Sequence, residues 1–238
     1  MTRTKGVEVA PVWSPDGTSV AFNSMGHGIH LRKADGTGEL ELLRAGDASP
    51  KSWSPDGHWI AFTNSGSTSK RDIWLLNRSN PEDAFPLLET SFYEGSPTIS
   101  PDGRWLAYCS DESGEFEIYV QSFPDGRDRR KISPGGGVEP LWSRDGKEIF
   151  FRRGDAMMVV PLESRGSELR AGALERLFEG QFAFEPTNSE ANYDVSLNGE
   201  RFVMVTRGGG APPTELRIVL NWAEELKRLV PKGPRTTE

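Results

Sequence analysis

One five-residue pattern recurs five times in the 238 residues and restricts the chain to folds built from small, similar units. Trp13-Ser14-Pro15-Asp16-Gly17 and Trp53-Ser54-Pro55-Asp56-Gly57 carry it in full, and Ile99-Ser100-Pro101-Asp102-Gly103 differs only at its first residue. Trp142-Ser143-Arg144-Asp145-Gly146 and Val195-Ser196-Leu197-Asn198-Gly199 are looser copies. The Asp or Asn position repeats at intervals of 40, 46, 43 and 53 residues. A period of this size holds four short strands and no long helix, as the blades of a propeller require.

The chemistry of the pattern is that of a tight turn. Proline fixes φ for the second turn position, the Asp carboxylate accepts from a backbone N–H further on, and glycine takes the positive φ that closes the hairpin. Four residues after each Asp or Asn stands an apolar residue (Val20, Ile60, Leu106, Ile149, Phe202). Two further on stands another (Phe22, Phe62, Tyr108, Phe151, Met204), which is the period of a strand. The residues between them (Ala21, Ala61, Ala107, Phe150, Val203) are also apolar, so this strand is expected to be buried on both faces between neighbouring sheets. Third strands are expected at 29–32, 72–76, 117–121, 157–162 and 216–220, and outer strands at 39–43, 85–88, 129–132 and 174–178. In the fifth unit the pattern predicts a C-terminal helix instead. Asn221 would cap it with Glu224 as its partner, Trp222, Leu226, Leu229 and Val230 would share one face, and Pro231 would end it. The expected fold is all-β, a propeller of about five four-stranded blades in one domain over 1–238. Blades are expected near 7–44, 45–90, 91–134, 135–180 and 181–221, and the helix at 222–230.

Residues 11–22 and 50–62, with the strand at Ile118-Tyr119-Val120, resemble the TolB-like propeller repeat, a relative of the WD-type repeats. Residues 100–108, 145–150, 192–196 and 219–222 are similar to the C-terminal propeller of a group of bacterial serine/threonine protein kinases. That resemblance implies a sensor or interaction module, commonly carried outside the cytoplasmic membrane. Arg144 in place of proline, and Leu197-Asn198 in place of Pro-Asp, read as drift. Relatives with six blades imply an incomplete ring. The spacing of the outer strands places most of a closing strand before Met1, so unpaired blade edges and self-association are expected.

The longest apolar stretch, 156–162, is interrupted by Pro161 and is much shorter than the roughly 20 residues of a membrane-crossing helix. The first residues lack a secretory hydrophobic region. The chain as written is therefore expected in the cytoplasm, and outside it if it ends a membrane-anchored relative. With 28 Lys and Arg against 35 Asp and Glu, the net charge of −7 disfavours nucleic acid as a partner. The single cysteine, Cys109, excludes an intramolecular disulfide and a Cys-based zinc site.

No catalytic, phosphate-cradling or zinc-protease motif is present, and the reading assigns no catalytic, cofactor or metal residue. The chain is accordingly expected not to be an enzyme. His27 and His30 read as loop and strand residues, and Asp16, Asp56, Asp102 and Asp145 as a ring of structural turns. Gly135-Gly136-Gly137 and Gly208-Gly209-Gly210 read as interstrand loops. Arg127, Arg129, Arg130 and Lys131 read as a solvated outer strand, with an acidic peptide as the alternative. Asp111, Glu112, Glu115 and Glu117 form an acidic cluster without calcium-loop spacing. Trp59, Trp74 and Trp105 read as packing between blades. The expected partner is a protein or small ligand at the blade loops, with 65–71 and 135–139 as candidate loops. The alternatives are a hydrolase-associated propeller, either a glycosidase or the accessory propeller of a prolyl-oligopeptidase-type peptidase, and a gene fragment without a role of its own.

Overall fold

The computed structural model describes residues 7–65, 70–166, 168–183, 191–206 and the backbone of 217–219. Five antiparallel sheets follow one another in chain order. The first is β1 (Glu8–Trp13), β2 (Ser19–Ser24), β3 (Gly28–Lys33) and β4 (Glu41–Arg44). The second is β5 (Ala48–Trp53), β6 (Trp59–Ser65), β7 (Arg71–Asn77) and β8 (Asn80–Leu88). The third is β9 (Glu94–Ile99), β10 (Trp105–Ser110), β11 (Glu117–Ser122) and the two-residue β12 (Arg130–Lys131). The fourth holds β13 (Val138–Trp142), β14 (Glu148–Arg153), β15 (Ala156–Arg165), β16 (Glu168–Ala171) and β17 (Glu175–Glu179). The fifth has β18 (Tyr193–Val195), β19 (Phe202–Met204) and β20 (Arg217–Val219). The architecture is thus an all-β propeller. The anticipated helix at 222–230 and closing segment before residue 7 lie outside the described residues.

Each copy of the pentapeptide folds into the same turn. In the third blade Gly103 N donates to Ser100 O (2.9 Å) with Gly103 at φ +71, and Ser100 Oγ donates to Asp102 Oδ1 (2.6 Å). Ser100 Oγ also accepts from Trp105 N at 3.0 Å, and Asp102 Oδ1 from Arg104 N at 3.1 Å. Blades one, two and four repeat the serine-to-aspartate bond through Ser14–Asp16, Ser54–Asp56 and Ser143–Asp145. Blade five makes it through Ser196 and Asn198 (2.7 Å). These bonds hold all four carboxyls below their usual range. For Asp16 and Asp145 the serine hydroxyl is the main cause. At Asp56 and Asp102 partial burial pushes upward, but the serine hydroxyl and the other donors around each carboxyl together outweigh it. Ser100→Ala is expected to cost about 1–2 kcal/mol in urea unfolding, because the buried Trp105 N–H loses an acceptor. Asp102→Asn, the residue blade five already uses, is expected to cost less than about 0.5 kcal/mol, within the range of an ordinary surface change.

Burial sits between blades, as the doubly apolar second strands require. Ala21, Ile29, Leu31, Ile60, Phe62 and Leu76 pack between blades one and two, and Ala61, Ile73, Leu75, Leu106 and Tyr108 between two and three. Trp105, Ala107, Cys109, Ile149 and Phe151 fill the space between three and four, and Phe150, Met157, Tyr193 and Phe202 that between four and five. Trp59, Trp74 and Trp105 all belong to these interfaces. Cys109 is buried, which pushes its thiol up to about 12.

The fourth blade departs from the sequence expectation. β15 runs to Arg165 and pairs with β16 before the chain returns as β17. This added hairpin carries Leu162 and Leu169 onto Trp105 of blade three. There Arg104 Nη1 donates to Gly166 O (3.0 Å), Arg104 Nη2 to Ser164 Oγ (2.9 Å) and Trp105 Nε1 to Ser164 Oγ (3.2 Å).

Candidate functional site

The first strand of each blade lies innermost, with β1, β5, β9 and β13 neighbours in turn. Each of these four strands carries a register irregularity against its second strand. In blades one, three and four the irregularity contains a non-glycine residue in the left-handed region: Ala10 (φ +53), Ser96 (φ +50) and Glu139 (φ +57), each directly before a proline. Three non-glycine residues at one repeated position are a strained feature of the kind that gathers at functional sites, and bulges redirect side chains there.

These bulges surround an axial cavity of about 280 Å³. Its lining includes Pro11, Lys51, Ser96, Pro97, Thr98 and Pro140 from four blades, and Ala191 ahead of β18. Thr98 and Leu141 are shared with a second axial cavity of about 630 Å³, which opens on the turn face. The outer cavity is lined by Trp13, Trp53 and Trp142, by turn prolines Pro15, Pro55 and Pro101, and by Arg144 and Asp194. Trp13 is 60% exposed and Trp53 half-buried, so indole surface faces the opening. Trp53 and Trp142 thus line the outer cavity as well as packing between sheets.

A buried polar cluster stands beside the inner cavity. Glu139 is fully buried; its carboxylate accepts from Asn192 Nδ2 (2.9 Å) and Asn192 N (3.3 Å), while Tyr193 Oη donates to its carbonyl (2.7 Å). Burial pushes the Glu139 carboxyl up, against these bonds and the nearby Arg152. Arg152, also fully buried, donates from Nη2 to Gly154 O (2.7 Å) and lies over the Phe182 ring. A second cluster lies between blades two and three. Glu94 Oε1 accepts from Thr90 Oγ1 (2.5 Å), whereas Glu94 Oε2, Tyr108 Oη and Thr63 Oγ1 are buried without a partner. Burial raises the Glu94 carboxyl to about 7, and the nearby Asp72 and Asp111 push the same way against Thr90 and Arg129.

The residues singled out from the sequence distribute differently. The acidic cluster does not converge. Asp111 accepts from Tyr93 N (2.8 Å), Glu112 is paired with Arg129, and Glu117 is buried under Ser133 Oγ, Lys131 Nζ and the N–H groups of Gly135 and Gly136. The basic run stays at the surface, with Arg127, Arg130 and Lys131 exposed and Arg130–Lys131 forming the short outer strand, while the Arg129 guanidinium lies 4.6 Å from the Tyr119 ring centroid. The loop at 135–139 is pinned by Glu117 and by Arg153, which donates to Gly136 O and Pro134 O, so it is a fixed wall of the fold. The 65–71 loop is described only at its ends. His30 stacks on Phe22 at 6.0 Å within blade one. Among the described residues, no group of three or more His, Cys, Asp or Glu is arranged to hold a metal ion.

Solved structures with this arrangement of blades include TolB of Acinetobacter baumannii (TM-score 0.64, 23% identity, 87% of this chain and 50% of that one). A structure described as TolB from Agrobacterium tumefaciens matches equally well (TM-score 0.64, 24% identity, 90% and 76%). The fold is a TolB-like β-propeller. An oligogalacturonate lyase of Vibrio parahaemolyticus shares the fold at TM-score 0.63 and 10% identity, over 93% of this chain and 65% of that one. In sequence, the chain is 44% identical over 57 residues to YuxL of Bacillus subtilis, an uncharacterised peptidase; the match covers 23% of this chain and 8% of that protein. No protein-family model matches. The chain spans half the length of the Acinetobacter TolB structure and a small part of YuxL. The expectation that the chain is not an enzyme is corrected by these likenesses, because a lyase and a peptidase-named protein stand among its relatives in fold and sequence. The absence of short motifs was a weak basis for it, since one propeller fold hosts unrelated chemistries and its groups converge from several blades.

Proposed function

We propose that this propeller is a ligand-binding module that takes up its ligand on the turn face, in the axial depression between Trp13, Trp53, Pro55 and Pro101. The observation that carries this reading is the outer axial cavity of about 630 Å³, which shares Thr98 and Leu141 with the inner one, so that the two linings together draw on all five blades. Concave sites with aromatic walls and a few convergent polar groups are where small ligands and peptide segments bind. In this reading the module is the protein-interaction or sensing part of a larger, receptor-like protein, as the resemblance of residues 100–108 and 219–222 to kinase-linked propellers suggests.

A second reading, that the blades accompany a peptidase domain in a longer protein, draws on the 57-residue likeness to the peptidase-named YuxL. Both readings use the same axial opening. A ligand that binds the folded chain at a hundred times its dissociation constant stabilises it by about 2.7 kcal/mol. A thermal-shift screen of small ligands and short peptides is expected to give hits whose stabilisation disappears in Trp13→Ala/Trp53→Ala. Those hits should persist in Leu42→Ala, a control on the exposed outer strand of blade one. Hits that ignore the tryptophan substitutions would place binding away from the axis.

A further inference from the structure

Among the described residues, blade one leaves open a face that the other blades bury. In blade two Ile60 pairs with Leu76 and Phe62 with Trp74, and these side chains pack on blade one. In blade four Ile149 pairs with Val160 and Phe151 with Met158, and these pack on blade three. The matching pairs of blade one are Val20 with Arg32 and Phe22 with His30, and neither Val20 nor Phe22 enters any of the four cores between described blades. They border instead a groove of about 320 Å³ that Val9, Pro11 and Lys33 also line. Two polar residues, His30 and Arg32, thus stand on this face where blades two and four carry apolar ones. Arg32 Nη2 donates to Gly36 O (3.0 Å), but its Nε–H is buried with no partner among the described residues. Six of the ten exposed large apolar side chains among the described residues lie in blade one and two more in blade five, so uncovered apolar surface gathers at the two ends of the run of sheets.

We infer that this face of blade one is the seat of residues 220–230, with Trp222, Leu226 and Leu229 covering Val20 and the rim of Phe22, and the Glu225 carboxylate meeting Arg32. Those residues follow β20 and lie outside the described ones. Their sequence has the chemistry that the face calls for. Trp222, Leu226, Leu229 and Val230 recur at helical spacing, and Glu225 stands three residues after Trp222 and four before Leu229, at the border of that stripe. A carboxylate there supplies the acceptor that Arg32 Nε lacks, in a bond strengthened by both charges. Arg32 and Lys33 are the cations of the groove and Glu8 is its one acid, so the groove is basic in a chain whose net charge is −7. The fifth sheet brings the segment within reach. β20 is the third strand of that sheet, and Asp194 and Val195 of its first strand line the outer axial cavity together with Trp13 and Gly17 of blade one. A helix of this length is about 16 Å long, close to the width of about 15 Å that four neighbouring strands span.

The test is thiol labelling of Val20→Cys in the full chain, where the native Cys109 is buried and reacts slowly. Labelling is expected to quicken about tenfold or more when Leu226→Asp is added, as loss of local protection implies, with circular dichroism showing that the fold is retained. Carbodiimide coupling is expected to join Lys33 to Glu224 or Glu225 within single chains, read by peptide mapping in a mass spectrometer. If Leu226→Asp unfolds the chain, Arg32→Glu takes its place. That substitution is expected to release Val20→Cys, and the exchanged pair Arg32→Glu/Glu225→Arg to protect it again. Labelling that ignores Leu226→Asp, coupling of Lys33 confined to other carboxylates, or an exchanged pair that restores nothing overturns the proposal and leaves the face to residues 1–6 or to another molecule. Coupling found only between two chains, with a dimer in light scattering, overturns it in favour of a second copy.

Discussion

Glu139→Ala is expected to lower the unfolding free energy by about 2–3 kcal/mol, because buried N–H groups lose their acceptor. The substitution removes the carboxylate that fixes Asn192 through both its backbone and its side-chain N–H. It also leaves the guanidinium of Arg152, fully buried in the same interface, without that neighbouring negative charge. Urea unfolding at neutral pH measures the loss. Glu139→Gln should fall between the two, since its amide oxygen still accepts from Asn192 but carries no charge. A cost below about 1 kcal/mol for Glu139→Ala would mean that blade five is held to blade four by its apolar contacts alone.

The second large effect is a dependence on pH that runs opposite to ordinary acid denaturation. Glu94 titrates near 7 in the folded chain and near 4.5 when unfolded. Between those values the folded state binds the extra proton, so stability falls as pH rises through this window and levels off above it. The size of the change is about 3 kcal/mol. The groups facing Glu94 explain why no compensation is at hand. Asp72 and Asp111 oppose its ionisation and Arg129, the nearby cation, is engaged with Glu112. Urea midpoints measured between about pH 4.5 and 8 should therefore decline for the native chain. The decline should be smaller for Glu94→Gln, which retains an acceptor for Thr90 Oγ1 and is more stable than the native chain at the alkaline end. The four turn aspartates act in the reverse sense, because their lowered values contribute stability above the unfolded range that is lost on further acidification.

The sheets are legible in the sequence because turn chemistry and strand period act within a few residues of each other. Ser100, Asp102, Gly103 and Trp105 both specify the third-blade turn and make its bonds. Parts that depend on distant residues are not legible in the same way. Nothing near Glu117 indicates that Gly135 and Gly136 will close over it, and nothing in the polar run after Leu162 foretells a hairpin seated on Trp105. Glu94 and Glu139 read as ordinary carboxylates until neighbouring sheets enclose them. The axial site is hidden for a related reason. Pro11, Lys51, Ser96, Pro140 and Ala191 are spread over most of the chain and meet only when the blades are arranged in a ring. The X-Pro pairs Ala10-Pro11, Ser96-Pro97 and Glu139-Pro140 were an available signal, since a left-handed residue before proline is unfavourable and needs support from its surroundings.

Five near-identical turns create a hazard during assembly, because one blade's strand can dock where another's belongs, the usual failure of repeat proteins. The hairpin of β15 and β16 supplies an address. Its Ser164 and Gly166 bond to Arg104 and Trp105, a pair that the corresponding positions replace with Thr18-Ser19, His58-Trp59, Lys147-Glu148 and Glu200-Arg201. Blade four therefore identifies blade three by a contact that none of the other turns can reproduce in full. On a growing chain that identification waits until about 60 further residues have been added after Arg104, so the order of synthesis and the order of neighbours around the ring are tied together at this joint.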